Sequence, residues 1–106
     1  MKSRRRSKYG NVPTVVDGIR FASRAEARRY GELKLLERAG KIFALEVHPC
    51  FFLTADIKYI ADFDYLDGNN MKIVVEDVKG VQTQAFKIKA KLFRACYPHC
   101  ELRIVK

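Results

Sequence analysis

A chain of 106 residues in which 48% are apolar can build one packed core and is too apolar to remain disordered. Its 21 lysines and arginines against 12 acids leave a net charge of +9, an excess that favours a polyanionic partner such as nucleic acid. No apolar run approaches the roughly 20 residues a membrane helix needs, and no apolar stretch follows the basic start as a secretory signal would require. Three cysteines, an odd number, argue against a disulfide framework and point to a reducing cytoplasm.

Residues 1–9 read as a flexible basic arm, with Arg4, Arg5, Arg6 and Lys8 available for phosphate contacts. Residues 10–106 read as a single domain. A β-hairpin is predicted over 14–21, where Asp17-Gly18 supplies the two turn positions that need positive φ. Ser23 stands three residues before Glu26, the spacing of a capping box, and opens a helix that Gly40 ends. Glu26, Tyr30 and Leu33 share one face of it, whereas Glu32 and Glu37 read as surface.

Strand-like segments follow over 42–53, interrupted near Pro49, over 57–66 and over 72–78. The last two are joined by the turn-rich Asp67-Gly68-Asn69-Asn70. A second helix is predicted over 84–97, stopped by Pro98, and a final strand over 101–105. The order hairpin-α-β-β-β-α-β places a helical crossover before the last strand. It therefore predicts an α/β (α+β) domain with a mixed central sheet flanked by helices.

The chemistry concentrates on two of these strands. In Ile73-Val74-Val75-Glu76-Asp77-Val78-Lys79-Gly80, alternation sends Asp77 and Lys79 to one face and Glu76 to the other. Glu76 is expected to be solvated or paired with a cation. In Tyr59-Ile60-Ala61-Asp62-Phe63-Asp64, Asp62 and Asp64 share a face, and either can come beside Asp77. Asp62 is preferred, since Asp64 lies nearer the turn and can cap it. Neighbouring carboxylates repel, and a divalent cation with oxygen ligands relieves that repulsion.

Asp62 followed by Asp77-Val78-Lys79 on the next strand, after a glutamate-bearing helix, resembles the signature of the PD-(D/E)XK nuclease superfamily. The phrases Ser23-Arg24-Ala25-Glu26-Ala27-Arg28-Arg29-Tyr30, Tyr59-Ile60-Ala61-Asp62-Phe63 and Val75-Glu76-Asp77-Val78-Lys79-Gly80 are similar to small phage-encoded endonucleases related to Holliday junction resolvases. The resemblance spans 9–105 and implies a restriction-endonuclease-like core. It implies that Asp62 and Asp77 hold Mg2+ (or Mn2+), that Glu26 completes the site, and that Lys79 contacts the nucleophile or the scissile phosphate. It also implies a homodimer cutting branched, four-way DNA to 5′-phosphate and 3′-hydroxyl ends in the cytoplasm of a bacterial host. One departure is that Ala61, not proline, precedes Asp62.

Blander readings stand beside these. Glu26 can serve the capping box alone, and Asp77 with Lys79 can form an ordinary salt bridge. Lys87, Lys91 and Arg94 form a stripe on the second helix that is either a solvated face or a phosphate-binding cover over the site. Thr83 and Gln84 at its start can donate to phosphate, or Thr83 can be a plain N-cap. Phe86, Ala90, Phe93 and Tyr97 read as core. His48, Cys50, Cys96, His99 and Cys100 invite a zinc reading, but their spacing matches no common zinc motif, and Cys50 and Cys96 fit core positions. The rival function is a non-catalytic module for double-stranded nucleic acid, which shares the α-β-β-β-α order and needs no strand acids. A nicking or mismatch nuclease of the same superfamily is the nearer alternative.

Overall fold

The computed structural model describes residues 12–54 and 56–106. The predicted basic arm, with Arg4, Arg5, Arg6 and Lys8, lies outside the described residues. In chain order the elements are β1 (Thr14–Val16), β2 (Ile19–Phe21), α1 (Arg24–Arg38), β3 (Ile42–Val47), β4 (Cys50–Phe52), β5 (Lys58–Ile60), β6 (Phe63–Asp67), β7 (Ile73–Val78), α2 (Gln84–Cys96) and β8 (Cys100–Val105). Among the described residues no helix is long and apolar enough to cross a membrane.

The local signals act as their chemistry dictates. Asp17 and Gly18 take φ of 54° and 76°, so the β1–β2 turn has the double left-handed geometry that suits a two-residue hairpin. Tyr30 donates to Asp17 Oδ2 at 3.0 Å and ties this hairpin to α1. Ser23 caps α1 by accepting from the Glu26 amide at 3.2 Å. At the other end Lys41 N–H reaches Leu36 O and Gly40 N–H reaches Glu37 O, a Schellman closure with Gly40 at φ 77°.

A four-stranded sheet runs β3-β6-β7-β8, antiparallel except for the parallel β7–β8 pair that α2 connects. The sheet is mixed, as the helical crossover predicts. The segment 42–53 is interrupted at Pro49 as expected, whereas 57–66 departs from expectation, because it too is not one strand. Each breaks, at His48-Pro49 and at Ala61-Asp62, and the outer halves β4 and β5 pair with each other in a separate ribbon. The two breaks face each other: His48 N–H donates to Asp62 O and Ala61 N–H to Pro49 O. A kinked hairpin results, with both kinks at one end of the main sheet.

Alternation along β7 divides the interior into two layers. Val74 joins Phe21, Tyr30, Leu33, Phe63 and Tyr65 beneath α1, while Val75 joins Tyr59, Ala61, Phe86, Ala90 and Phe93 beneath α2. Phe93 is fully buried, with rings of Phe51, Tyr59 and Tyr97 within 5.1–5.7 Å. Phe93→Ala should therefore cost about 3–5 kcal/mol in a urea unfolding titration, the range for a buried aromatic deleted from a packed core. Cys50 and Cys96 correct the sequence reading: both are exposed rather than core, Cys50 on the ribbon and Cys96 at the end of α2.

Candidate active site

Three elements converge where the hairpin kinks. The first turn of α1 carries Glu26, which is 9% exposed on the face turned to the sheet. The kink before β6 carries Asp62. The end of β7 carries Asp77, 2% exposed, with Lys79 just beyond it.

The register explains the meeting of the two aspartates. Phe63 pairs with Glu76 across β6 and β7, so Asp62 falls beside Asp77. Asp62 N–H donates to Glu76 O at 3.1 Å, and Val78 N–H donates to Asp62 Oδ2 at 2.6 Å. These bonds fix the Asp62 carboxyl against the strand that bears Asp77. Burial pushes the Asp62 carboxyl up to about 8, against the lowering effect of the Val78 amide, and the charges of Asp77 and Glu26 add to the rise.

Asp77 is held from two directions. Tyr59 donates its hydroxyl to Asp77 Oδ2, and Lys79 Nζ lies 3.3 Å from Asp77 Oδ1. Burial, then the Asp77 charge, raises the Tyr59 hydroxyl well above the usual phenol range, so it remains a donor. Lys79 also stands 4.8 Å from the Phe86 ring centre, which braces its stem against α2.

Asp62, not Asp64, is the acid that meets Glu26 and Asp77. Asp64 pairs across the sheet with Glu46 on β3, and burial and the bond to Glu46 push it up to about 7. Glu76 leaves by the opposite face, as alternation predicts, and of the two expectations for it, solvated or paired with a cation, the second holds, since it is buried against Arg29. It receives two bonds from Arg29, at 2.8 and 2.7 Å, and one from Tyr65. Glu32 is exposed at the surface, while Glu37 is half-buried and accepts from the Leu45 amide at 3.2 Å.

Two clefts open beside Lys79. One of ≈ 420 Å³ is walled by Ser23, Glu26, Lys79, Thr83 and Lys106. The other, of ≈ 440 Å³, is walled by Lys58, Tyr59, Lys79, Thr83, Phe86 and Lys89. The predicted stripe of Lys87, Lys91 and Arg94 is exposed on α2 but lines neither cleft. The helix phase set by Phe86, Ala90 and Phe93 turns Lys89 to the ribbon instead. Thr83 reaches both clefts while its hydroxyl caps α2 by accepting from Phe86 N–H at 3.1 Å, and Gln84 is exposed.

His48 is the residue whose place the sequence reading missed. It sits in the kink with Nε2 4.0 Å from Glu26 Oε1, and its ring packs against Phe21. Glu26, His48 and Asp62 each offer a donor atom within 4.8 Å of the others, and this is the metal-competent group found among the described residues. The zinc grouping weighed from sequence does not assemble, since the cysteines do not join His48. Arg29, Tyr59, Lys58 and Lys89 also went unread, because each acts through a partner distant in sequence.

No curated protein and no solved structure matches this chain. A family model described as "Protein of unknown function (DUF1064)" matches residues 6–106. With nearly its whole length matched, the chain belongs to the DUF1064 family.

Proposed function

We propose that this DUF1064 chain is a metal-dependent DNA endonuclease of the PD-(D/E)XK type with a restriction-endonuclease-like core, most simply a Holliday junction resolvase working as a homodimer. The observation that carries the reading is the convergence of Glu26, Asp62, Asp77 and Lys79 from separate elements at one end of the sheet. A structural salt bridge needs one acid, not three. The element order, with its acid-bearing first helix and α2 crossover, supports the same reading.

The donor set suits a hard dication. Asp62 and Asp77 would be its main ligands with Glu26 beside them, and all supply carboxylate oxygens of the kind Mg2+ or Mn2+ takes. Bound there, the ion would supply charge neutralisation at the scissile phosphate and a water of lowered pKa. Lys79 can place its ammonium on a phosphate oxygen or on the attacking water, since its side chain is one-third exposed and opens to both clefts. Tyr59 keeps Asp77 in a fixed orientation. Lys58 and Lys89 give the second cleft a cationic wall for the nucleic-acid backbone, in line with a net charge of +9. Two sites related by a two-fold axis fit the two symmetric cuts a four-way junction requires. The bacterial cytoplasm supplies that substrate.

The test is labelled four-way junction, duplex, flap and mismatch DNA, each offered with Mg2+ and with chelator. Cleavage of the junction with Mg2+ alone supports the reading. Cleavage centred on nicked or mismatched duplex reassigns the substrate within the superfamily. Binding with no cleavage under any dication makes the chain a non-catalytic module instead.

Metal binding should depend steeply on pH. With Asp62 raised to about 8, an incoming cation must displace a proton below that value, so affinity should strengthen about tenfold per pH unit up to pH 8 and then level off. Stability runs the other way. A carboxyl raised from 3.8 to about 8 by folding makes the metal-free native state bind the extra proton, so stability falls as pH climbs through that window. Metal titrations at pH 6.5, 7.5 and 8.5, with melting curves of the metal-free protein, check both signs.

A further inference from the structure

We infer that His48 is a metal ligand together with Glu26 and Asp62, giving the site one imidazole nitrogen and a preference for a transition dication such as Mn2+ over Mg2+. The inference rests on the metal-binding part of the nuclease reading and adds a residue and a selectivity to it.

The geometry points there first. The three donor atoms lie within 4.8 Å of one another, and the 4.0 Å between His48 Nε2 and Glu26 Oε1 is too long for a hydrogen bond. Two ligands each about 2.1 Å from one ion stand roughly 3 Å apart when adjacent and about 4.2 Å apart when opposite. The 4.0 Å pair falls in that range, and donors as far apart as 4.8 Å need only a small inward shift of their side chains to meet on one ion.

Charge compensation singles out this side of the cluster. Asp77 already has Lys79 and Tyr59. The Glu26 side chain is 12% exposed, accepts no hydrogen bond from a described residue, and has the His48 imidazole 4.0 Å away. A largely buried carboxyl without a protein donor, opening on a cleft, is well placed to take a cation. His48 is also held in place independently of any ion: its backbone N–H bonds Asp62 O at 2.9 Å, and its ring centre lies 5.9 Å from that of Phe21. The ligands come from α1 and the two facing kinks, so the site is set by the fold. Carboxylates alone serve Mg2+ well, whereas an imidazole ligand adds affinity for d-block ions and little for Mg2+.

The test uses the whole chain and the metals alone. Calorimetric titration with MnCl2 and MgCl2 should show His48→Gln weakening Mn2+ by about tenfold or more while Mg2+ changes less than about twofold. On the wild-type protein, substoichiometric Mn2+ should broaden the ring resonances of His48 and spare those of His99, which needs no variant to fold. Equal loss of both metals in His48→Gln, unchanged Mn2+ affinity, or an unbroadened His48 ring overturns the inference. Failure of the nuclease reading looks different: Mn2+ binds through His48 and no DNA is cut.

Discussion

Asp77→Asn is expected to slow junction cleavage about a thousandfold or more while leaving the fold and DNA binding intact. Asparagine keeps the shape and one acceptor oxygen, so the Tyr59 hydroxyl still has its partner and the layer beneath α2 stays packed. What disappears is one negative charge beside Asp62. That charge helps hold the Asp62 carboxyl up near 8, so the variant's Asp62 should ionise at lower pH. A cation then meets fewer ligands, and Lys79 loses the carboxylate that positions it 3.3 Å away. DNA affinity should hold or tighten slightly, because removing an acid from a cationic cleft lowers repulsion of phosphate. Lys79→Met separates the two roles: metal affinity should persist while cleavage falls. Single-turnover cleavage, gel-shift and metal titration on the same preparations check the set. An Asp77→Asn variant that cuts at the wild-type rate would remove Asp77 from the chemistry and the nuclease reading with it.

Local rules made much of this architecture legible, and their reach also marks where legibility stops. Asp-Gly fixed the first hairpin, Ser23 and Gly40 bounded α1, and period-two alternation correctly sent Asp77 and Glu76 to opposite faces. Asp62, Asp77 and Lys79 were readable because strand pairing is itself a periodic rule. Pro49 marked the break in 42–53, but the kink at Ala61-Asp62 was not readable, since apolar residues continue through it. Missing the second kink, which faces the first, meant missing the place of His48, whose left-handed backbone, φ 57°, turns it toward Glu26. The stripe of Lys87, Lys91 and Arg94 obeyed helical spacing, yet spacing alone does not say which flank of a helix overlooks a cleft. Lys89 was hidden among its neighbours for that reason. The pairing of Glu76 with Arg29, 47 positions apart, leaves no trace in local pattern.

Breaking that pair should cost a large share of the stability of the fold. Arg29→Ala is expected to cost about 3–5 kcal/mol, because it strands a charge rather than merely deleting a bond. Glu76 is completely buried within the α1 layer, and Arg29 supplies two of its three bonds. The interaction also raises Arg29 above its ordinary value, chiefly through the Glu76 bond and despite burial, so Arg29 stays charged against Glu76. Alanine leaves Tyr65 as the remaining donor, and one neutral hydroxyl does not solvate a carboxylate in an apolar layer. The loss should appear as a melting point lower by about 12–25 °C in a domain of this size, or as failure to fold. Arg29→Met with Glu76→Leu should recover most of it, since two well-packed apolar side chains avoid the desolvation that the ion pair must offset. The recovered double variant has a further use: β7 carries Glu76 and Asp77 as neighbours on opposite faces. If cleavage survives the exchange, the pair is structural alone. If stability returns without cleavage, the ion pair sets the position of β7 and therefore the distance between Asp77 and Asp62. A single Arg29→Ala variant as stable as the wild type would mean that water or Tyr65 already satisfies Glu76, and that the pair contributes nothing to holding α1 on the sheet.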